Sequence, residues 1–123
     1  MIRGYLSENR EAVIRIVLLD AERSEYECLA IVDTGFDGHL TLPPSAVAEL
    51  ELPWIRSSMA LLADGSETFF DVHEATVEWD GKLCRISVDV ADTSPLLGMA
   101  MLWGFKLSVI AIEGGEVIIE ALE

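Results

Sequence analysis

Ala30-Ile31-Val32-Asp33-Thr34-Gly35 is the stretch on which the reading of this chain turns. An apolar run meets a carboxylate, then a hydroxyl, then a glycine. Apolar and β-branched residues on successive positions read as a strand buried on both faces. A carboxylate at the end of such a strand is costly unless donors surround it. Thr34 supplies a hydroxyl. Gly35 lets the chain turn and bring backbone N–H groups to the carboxylate. Asp-Thr-Gly is also ordinary turn chemistry, so the tripeptide alone decides nothing about function.

Outward from it, the chain reads as strands and tight turns. Ala12 to Leu19 and Tyr26 to Val32 form a hairpin that delivers Asp33. His39 to Leu42 is a short extended piece, and Pro43-Pro44 opens a short helix over Ser45–Leu50. Met59–Ala63 and Glu67–Val72 flank Asp64-Gly65-Ser66, a strong hairpin signal. The second arm runs on to Trp79, and its apolar phase changes from even to odd positions. That change predicts a bulge near His73-Glu74. After a turn at Asp80-Gly81, Cys84, Ile86, Val88 and Val90 alternate with Arg85, Ser87 and Asp89. Asp71, Asp80, Asp89 and Asp92 are expected on solvated faces or turns. Pro95-Leu96-Leu97-Gly98 is a second apolar approach to a glycine, followed by a helical turn or two from Met99 to Trp103. Lys106–Ile112 and Glu116–Leu122 are two final strands. The last of them is apolar on both faces, which suits either a partner chain or burial within its own sheet.

The composition narrows the classes. A chain of 123 residues is expected to form one domain, 1–123. Its net charge of −14 argues against nucleic acid and against anionic membrane surfaces. Cys28 and Cys84 lack framework spacing and are expected as reduced thiols. The N-terminus has no apolar core of a signal peptide, and Lys106, Ser108 and two glycines interrupt the apolar stretch Leu96–Ile112. A soluble cytoplasmic protein is therefore expected. His39 and His73 have no ligand-spaced partners, so neither a metal nor a cofactor is expected. No serine or cysteine sits in a nucleophile motif. Trp54, Trp79 and Trp103 are expected as core or interface anchors.

Three features together, Ala30–Gly35, Phe36-Asp37-Gly38 and Pro95-Leu96-Leu97-Gly98-Met99, resemble the retropepsin-like aspartic proteases of clan AA, in particular single-domain bacterial members. The resemblance covers nearly the whole chain. It implies a mostly β fold, a closed β-barrel of the acid-protease half type with one or two short helices. The internal echo of strand, apolar pair, glycine and helix fits the pseudo-symmetry of that fold. It also implies an aspartic endopeptidase acting as a homodimer on a peptide or protein substrate. Asp33 would be the catalytic carboxylate, one from each chain, with Thr34 bracing the two motifs and Gly35 setting the carboxylate against backbone donors. Asp37 matches a position that contacts substrate backbone, or it is simply a turn residue. Asp64 and Gly65 fall where the family has its flap, the lid over bound substrate. Terminal strands that interleave in retroviral relatives correspond to Val117–Leu122. The chain departs from the pattern at Phe36, where many relatives carry alanine, at Met99, where retroviral enzymes often carry arginine, and at Ala100, where bacterial relatives often carry aspartate.

One alternative is a retropepsin-like dimerisation or peptide-binding module without turnover, since fold does not fix function. Another is an unrelated β-rich domain, which would make the echo and the spaced hairpin coincidences.

Overall fold

The computed structural model describes all residues, Met1–Glu123. Ten strands and two short helices follow one another along the chain: β1 (Ile2–Leu6), β2 (Ala12–Leu19), β3 (Glu25–Val32), β4 (Leu40–Leu42), α1 (Pro44–Leu50), β5 (Trp54–Leu61), β6 (Glu67–Trp79), β7 (Lys82–Val90), β8 (Leu96–Leu97), α2 (Met99–Leu102), β9 (Phe105–Val109) and β10 (Glu116–Ala121). The fold is mostly β with two short helices, as the strand-and-turn pattern predicts. The strands form a single sheet in the order β5-β6-β7-β4-β8-β3-β2-β1-β10-β9. A further pairing, β6 with β2, curls the sheet so that six strands form a ring. The expected closed barrel is thus a partial ring, with β5, β1, β10 and β9 continuing outside it.

The ring encloses the core. Ile14, Leu18, Leu40, Leu42, Leu97, Val77 and Val88 are fully buried and belong to one apolar cluster. Burial of a leucine or isoleucine of this kind contributes about 1.5–3 kcal/mol. Helix α1 caps one end. Pro44 sits in its first turn, where no N–H is needed, and Glu51 ends it in the left-handed region at φ 52°. Its buried side, Ala46, Val47 and Leu50, joins the core. Trp79 closes the other side, with its ring edge-on to Phe105 at 5.8 Å between centroids.

Both hairpin turns legible as Asp-Gly occur. Asp80 and Gly81 have φ of 51° and 80°, and Gly65 has φ 85°. The bulge expected near His73-Glu74 does not occur in β6. The β6–β7 register runs unbroken from Val72–Asp89 to Trp79–Lys82. The irregularity lies across the ladder, on β5 between Trp54 and Arg56. The phase change in β6 has another cause: the strand passes from the hairpin into the ring. Ala75, Val77 and Trp79 face the enclosed core, whereas buried Val72 lies outside that cluster. β1 was not foreseen, because Ile-Arg-Gly-Tyr-Leu has only weak alternation. It holds the terminal strand in place: β10 is paired with β1 on one edge and β9 on the other. Val117 and Ile119 are therefore buried within their own sheet, and β10 has no free edge to interleave with another chain. The open edges belong to β5 and β9.

Candidate active site

Asp33 follows the last residue of β3, and a ladder of backbone hydrogen bonds fixes its loop. Its N–H donates to Leu97 O at 2.8 Å, and Phe36 N–H donates to Asp33 O at 3.2 Å. From the opposing segment, Gly98, Met99 and Ala100 donate to the carbonyls of His39, Phe36 and Gly38 at 3.0, 2.8 and 3.0 Å. The two apolar approaches to glycine noted in the sequence are thus side by side, as β3 and β8 run parallel through Ile31–Leu96 and Val32–Leu97.

Gly35 donates its N–H to Asp33 Oδ1 at 2.9 Å, so the carboxylate is oriented from within its own loop. The glycine is suited to this place by space: a Cβ there would sit 3.3 Å from Asp33 Oδ1. Phe36 turns its ring inward over two further glycines. A Cβ on Gly38 would meet the ring at 2.6 Å, and one on Gly98 would meet it at 2.5 Å. The departure at Phe36 therefore packs away from solvent and fills the loop. Asp33 is half-buried, and Thr34 beside it is exposed.

The sheet register places these groups on a common floor. Residues directly opposite in a ladder point to the same face. One such row runs Val13–Ile31–Leu96–Thr41–Asp89–Val72–Arg56, across seven strands. Asp33 lies two residues beyond Ile31 and shares that side. Thr41 is buried in the row, and its Oγ1 accepts the N–H of Leu96 at 2.9 Å. At the Asp33 end the row opens into a cavity of about 890 Å³, bordered by Asp33, Thr34, Ile31 and Leu96. Val109 at the end of β9 and Ile112 border it too, and with neighbouring Ile110 they are 41%, 66% and 56% exposed. Three carboxylates, Glu8, Glu11 and Glu113, and Arg10 also border this cavity.

The hairpin of β5 and β6 projects beside the row, with Met59, Leu61 and Phe69 exposed. At its tip Asp64 Oδ1 accepts from Ser66 N–H at 2.9 Å and from Ser66 Oγ at 2.6 Å. These bonds hold the Asp64 carboxyl below its usual range. They commit that carboxylate to the turn and leave Gly65 at the tip. Asp37 is exposed in the Asp33 loop. Asp33, Thr34, Gly35 and Asp37 thus occupy one loop, and Asp64 and Gly65 lie in a different one.

Sequence reasoning missed Asp89. Alternation along β7 assigns it to a solvated face, but the curling of the sheet turns the end of that face into the cleft. Asp89 is half-buried there. Burial raises its pKa, Arg56 opposes the rise, Asp37 adds to it and His39 opposes it. An acid whose pKa rises on folding costs stability once it ionises, as pH increases through the raised value. Asp89→Asn is therefore expected to melt above the parent protein near neutral pH. The difference should vanish in acid below the ordinary value of 3.8, where Asp89 is protonated. Thermal melts at the two pH values check this.

Other nucleophiles are unfavourable. Burial pushes the Cys28 thiol up to about 11, away from thiolate formation. Both cysteines are free. No three His, Cys, Asp or Glu side chains converge in an arrangement that could hold a metal ion. No helix is long and apolar enough to cross a membrane. Of the three tryptophans only Trp79 is buried, its Nε1 without a partner, while Trp103 is 83% exposed.

The arrangement is similar to a crystal structure of a retropepsin-like aspartic protease from Rickettsia conorii, with a TM-score of 0.62 at 17% sequence identity. The match covers 99% of this chain and 91% of that one. The likeness establishes the retropepsin-like fold. No protein-family model matches the chain, and no curated protein sequence matches it.

Proposed function

We propose that this chain is one half of an aspartic endopeptidase, completed when two copies bring their Asp33 carboxylates together across a two-fold axis. The observation that carries the reading is the setting of Asp33. Its carboxylate is oriented by Gly35 N–H, in a loop laced to the Gly98 segment, beside an open cavity with exposed apolar rims. Further support comes from the shared fold with a protein whose crystal structure is described as a retropepsin-like aspartic protease.

Peptide hydrolysis by carboxylates needs a base to activate water and an acid to protonate the leaving nitrogen. Two adjacent carboxyl groups supply both, because they cannot both ionise at close range and so share one proton. The pair then titrates as a unit. Ionised Asp33 of one copy takes a proton from water as the water attacks the peptide carbonyl. Protonated Asp33 of the other copy donates to the carbonyl oxygen. The proton taken from water then passes from the first Asp33 to the nitrogen as the C–N bond breaks, and the diol returns a proton to the second Asp33 as the carbonyl re-forms. Thr34, exposed beside the axis, braces one motif against the other. The β5–β6 hairpin closes over an extended substrate, with Gly65 at its tip and Asp64 holding the turn. Asp37 contacts the substrate backbone.

A two-fold contact at the Asp33 side covers Val109, Ile110 and Ile112 with the same residues of a second copy. Ile112→Asp places a charge in that contact and is expected to raise the dimer dissociation constant at least ~10-fold, since buried unpaired charge is strongly unfavourable. Sedimentation or light scattering over a dilution series measures it, and an unchanged constant would remove this face from the interface. The reading as a whole is tested by incubating purified protein with a peptide library from acid to neutral pH and identifying products by mass spectrometry. Cleavage within peptides is expected. A dimer that binds peptides and cleaves none would be a binding module of the same fold.

A further inference from the structure

The second cavity on the cleft floor belongs to a different part of the row, under the arm of β6. It measures about 370 Å³, and its walls are Thr41, Thr68, Phe69, Phe70, Val90 and Ala91. Its single charged group is Asp89. In the sheet, Asp89 stands between Thr41 and Val72, both buried. The Thr41 hydroxyl accepts from Leu96 N–H at 2.9 Å and makes no hydrogen bond to Asp89. No hydrogen bond or ion pair within the chain satisfies either oxygen of Asp89. The carboxylate leans on the Asp33 loop: Asp89 Oδ2 lies 3.5 Å from the point that a Cβ on Gly38 would occupy. The cavity therefore lies a few residues along the loop from the candidate catalytic carboxylate.

From this geometry we infer that Asp89 gives the cleft a preference for a substrate carrying a lysine or arginine side chain at the subsite under the β6 arm. The inference rests on the reading of the cleft as a peptide-binding site. A long basic side chain suits the cavity in two ways. Its aliphatic stem lies along Phe70, which shares the face of Val72, and its cationic head reaches a carboxylate that lacks a partner. A charge-assisted bond then forms to a half-buried carboxylate. A leucine side chain fills the same space but leaves Asp89 desolvated and unpaired. A glutamate adds a like charge.

The groups that face Asp89 set the charge balance. Arg56 lies on the same row beyond Val72, and Asp37 and His39 lie on the Asp33 loop. The carboxyl groups of Asp89 and Asp37 outnumber the single guanidinium of Arg56 there. Burial favours the protonated form of Asp89, so the preference weakens as pH falls through its raised pKa.

The test uses the full-length protein and peptides identical except for lysine, leucine or glutamate at one position, scanned along the sequence. At one position, kcat/KM is expected to favour lysine over leucine about 10-fold, with glutamate lowest. Asp89→Asn is expected to bring the lysine-to-leucine ratio near one. Equal cleavage of lysine and leucine peptides at every position overturns the inference, as does a ratio that survives Asp89→Asn. The same pairs, made with a reduced, uncleavable bond, are compared by fluorescence anisotropy. There a roughly 10-fold tighter lysine peptide, with the gap lost in Asp89→Asn, supports the inference even if no peptide is cleaved. That outcome would refute the endopeptidase reading alone. Equal binding of the pair overturns the inference whatever the turnover.

Discussion

Asp33→Asn is expected to lower peptide cleavage by about 10³-fold or more while leaving the dimer intact, because it removes both functions of a shared acid–base pair. Asparagine has nearly the shape of aspartate. Its amide oxygen still accepts the N–H of Gly35, the bond that orients Asp33 at 2.9 Å. The backbone bonds from Asp33 N–H to Leu97 O and from Phe36 N–H to Asp33 O do not involve the side chain. The loop therefore keeps its form. What is lost is the capacity to hold and release a proton at the pH of the assay. Cleavage rates with one good peptide, together with light scattering on both proteins, separate loss of chemistry from loss of assembly. Undiminished cleavage by Asp33→Asn would deny the residue its role.

Gly98→Ala is expected to lower the melting temperature by roughly 5–15 °C, which corresponds to about 1–3 kcal/mol of overpacking in a domain of this size. Gly98 is buried, and three groups crowd the place where its Cβ would go: Phe36 Cδ2 at 2.5 Å, Phe36 O at 2.7 Å and Gly38 O. The ring could rotate away, but the carbonyls cannot move freely. They accept the N–H groups of Met99 and Ala100, and those bonds lace the Asp33 loop to α2. Combining Gly98→Ala with Phe36→Leu is therefore expected to recover only part of the loss. Cleavage should fall along with stability, since the displaced segment also carries Leu97 O, the acceptor for Asp33 N–H. Calorimetry of the single and double variants measures the effect. A Gly98→Ala protein that melts with the parent would show that the loop has slack the packing does not suggest.

The Phe36–Gly98 contact illustrates what could be read from the sequence and what could not. The local features were legible because they depend on neighbours in the chain. Asp-Gly pairs mark turns by their backbone conformation, and the apolar runs before Asp33 and Gly98 mark strand ends. The resemblance carried by those motifs agrees with the retropepsin-like fold. Contacts at long range left no such trace. Nothing adjacent to Phe36 announces that its ring covers a glycine in α2's approach, although a large residue beside two glycines is a signal once the loops are paired. Alternation failed where the sheet curls. It assumes one inner face along a strand, but β6 changes its buried face between Val72 and Ala75, and β7, which keeps Cys84, Ile86, Val88 and Val90 toward the core, turns the end of its outer face into the cleft. Val72 and Asp89 therefore turn toward the cleft. The two-sided apolar pattern of β10 fitted two explanations, and it was β1, weak in sequence, that covered the strand.

The most direct test of the two-copy site is a mixing experiment. Protein with Asp33 and the Asp33→Asn variant are combined in equal amounts, allowed to exchange subunits, and assayed at constant total concentration. If one active unit requires Asp33 from both copies, only about one-quarter of the dimers carry it, so cleavage falls to about one-quarter of the unmixed value. Cleavage at about one-half would mean that each chain works alone, and would contradict the shared pair.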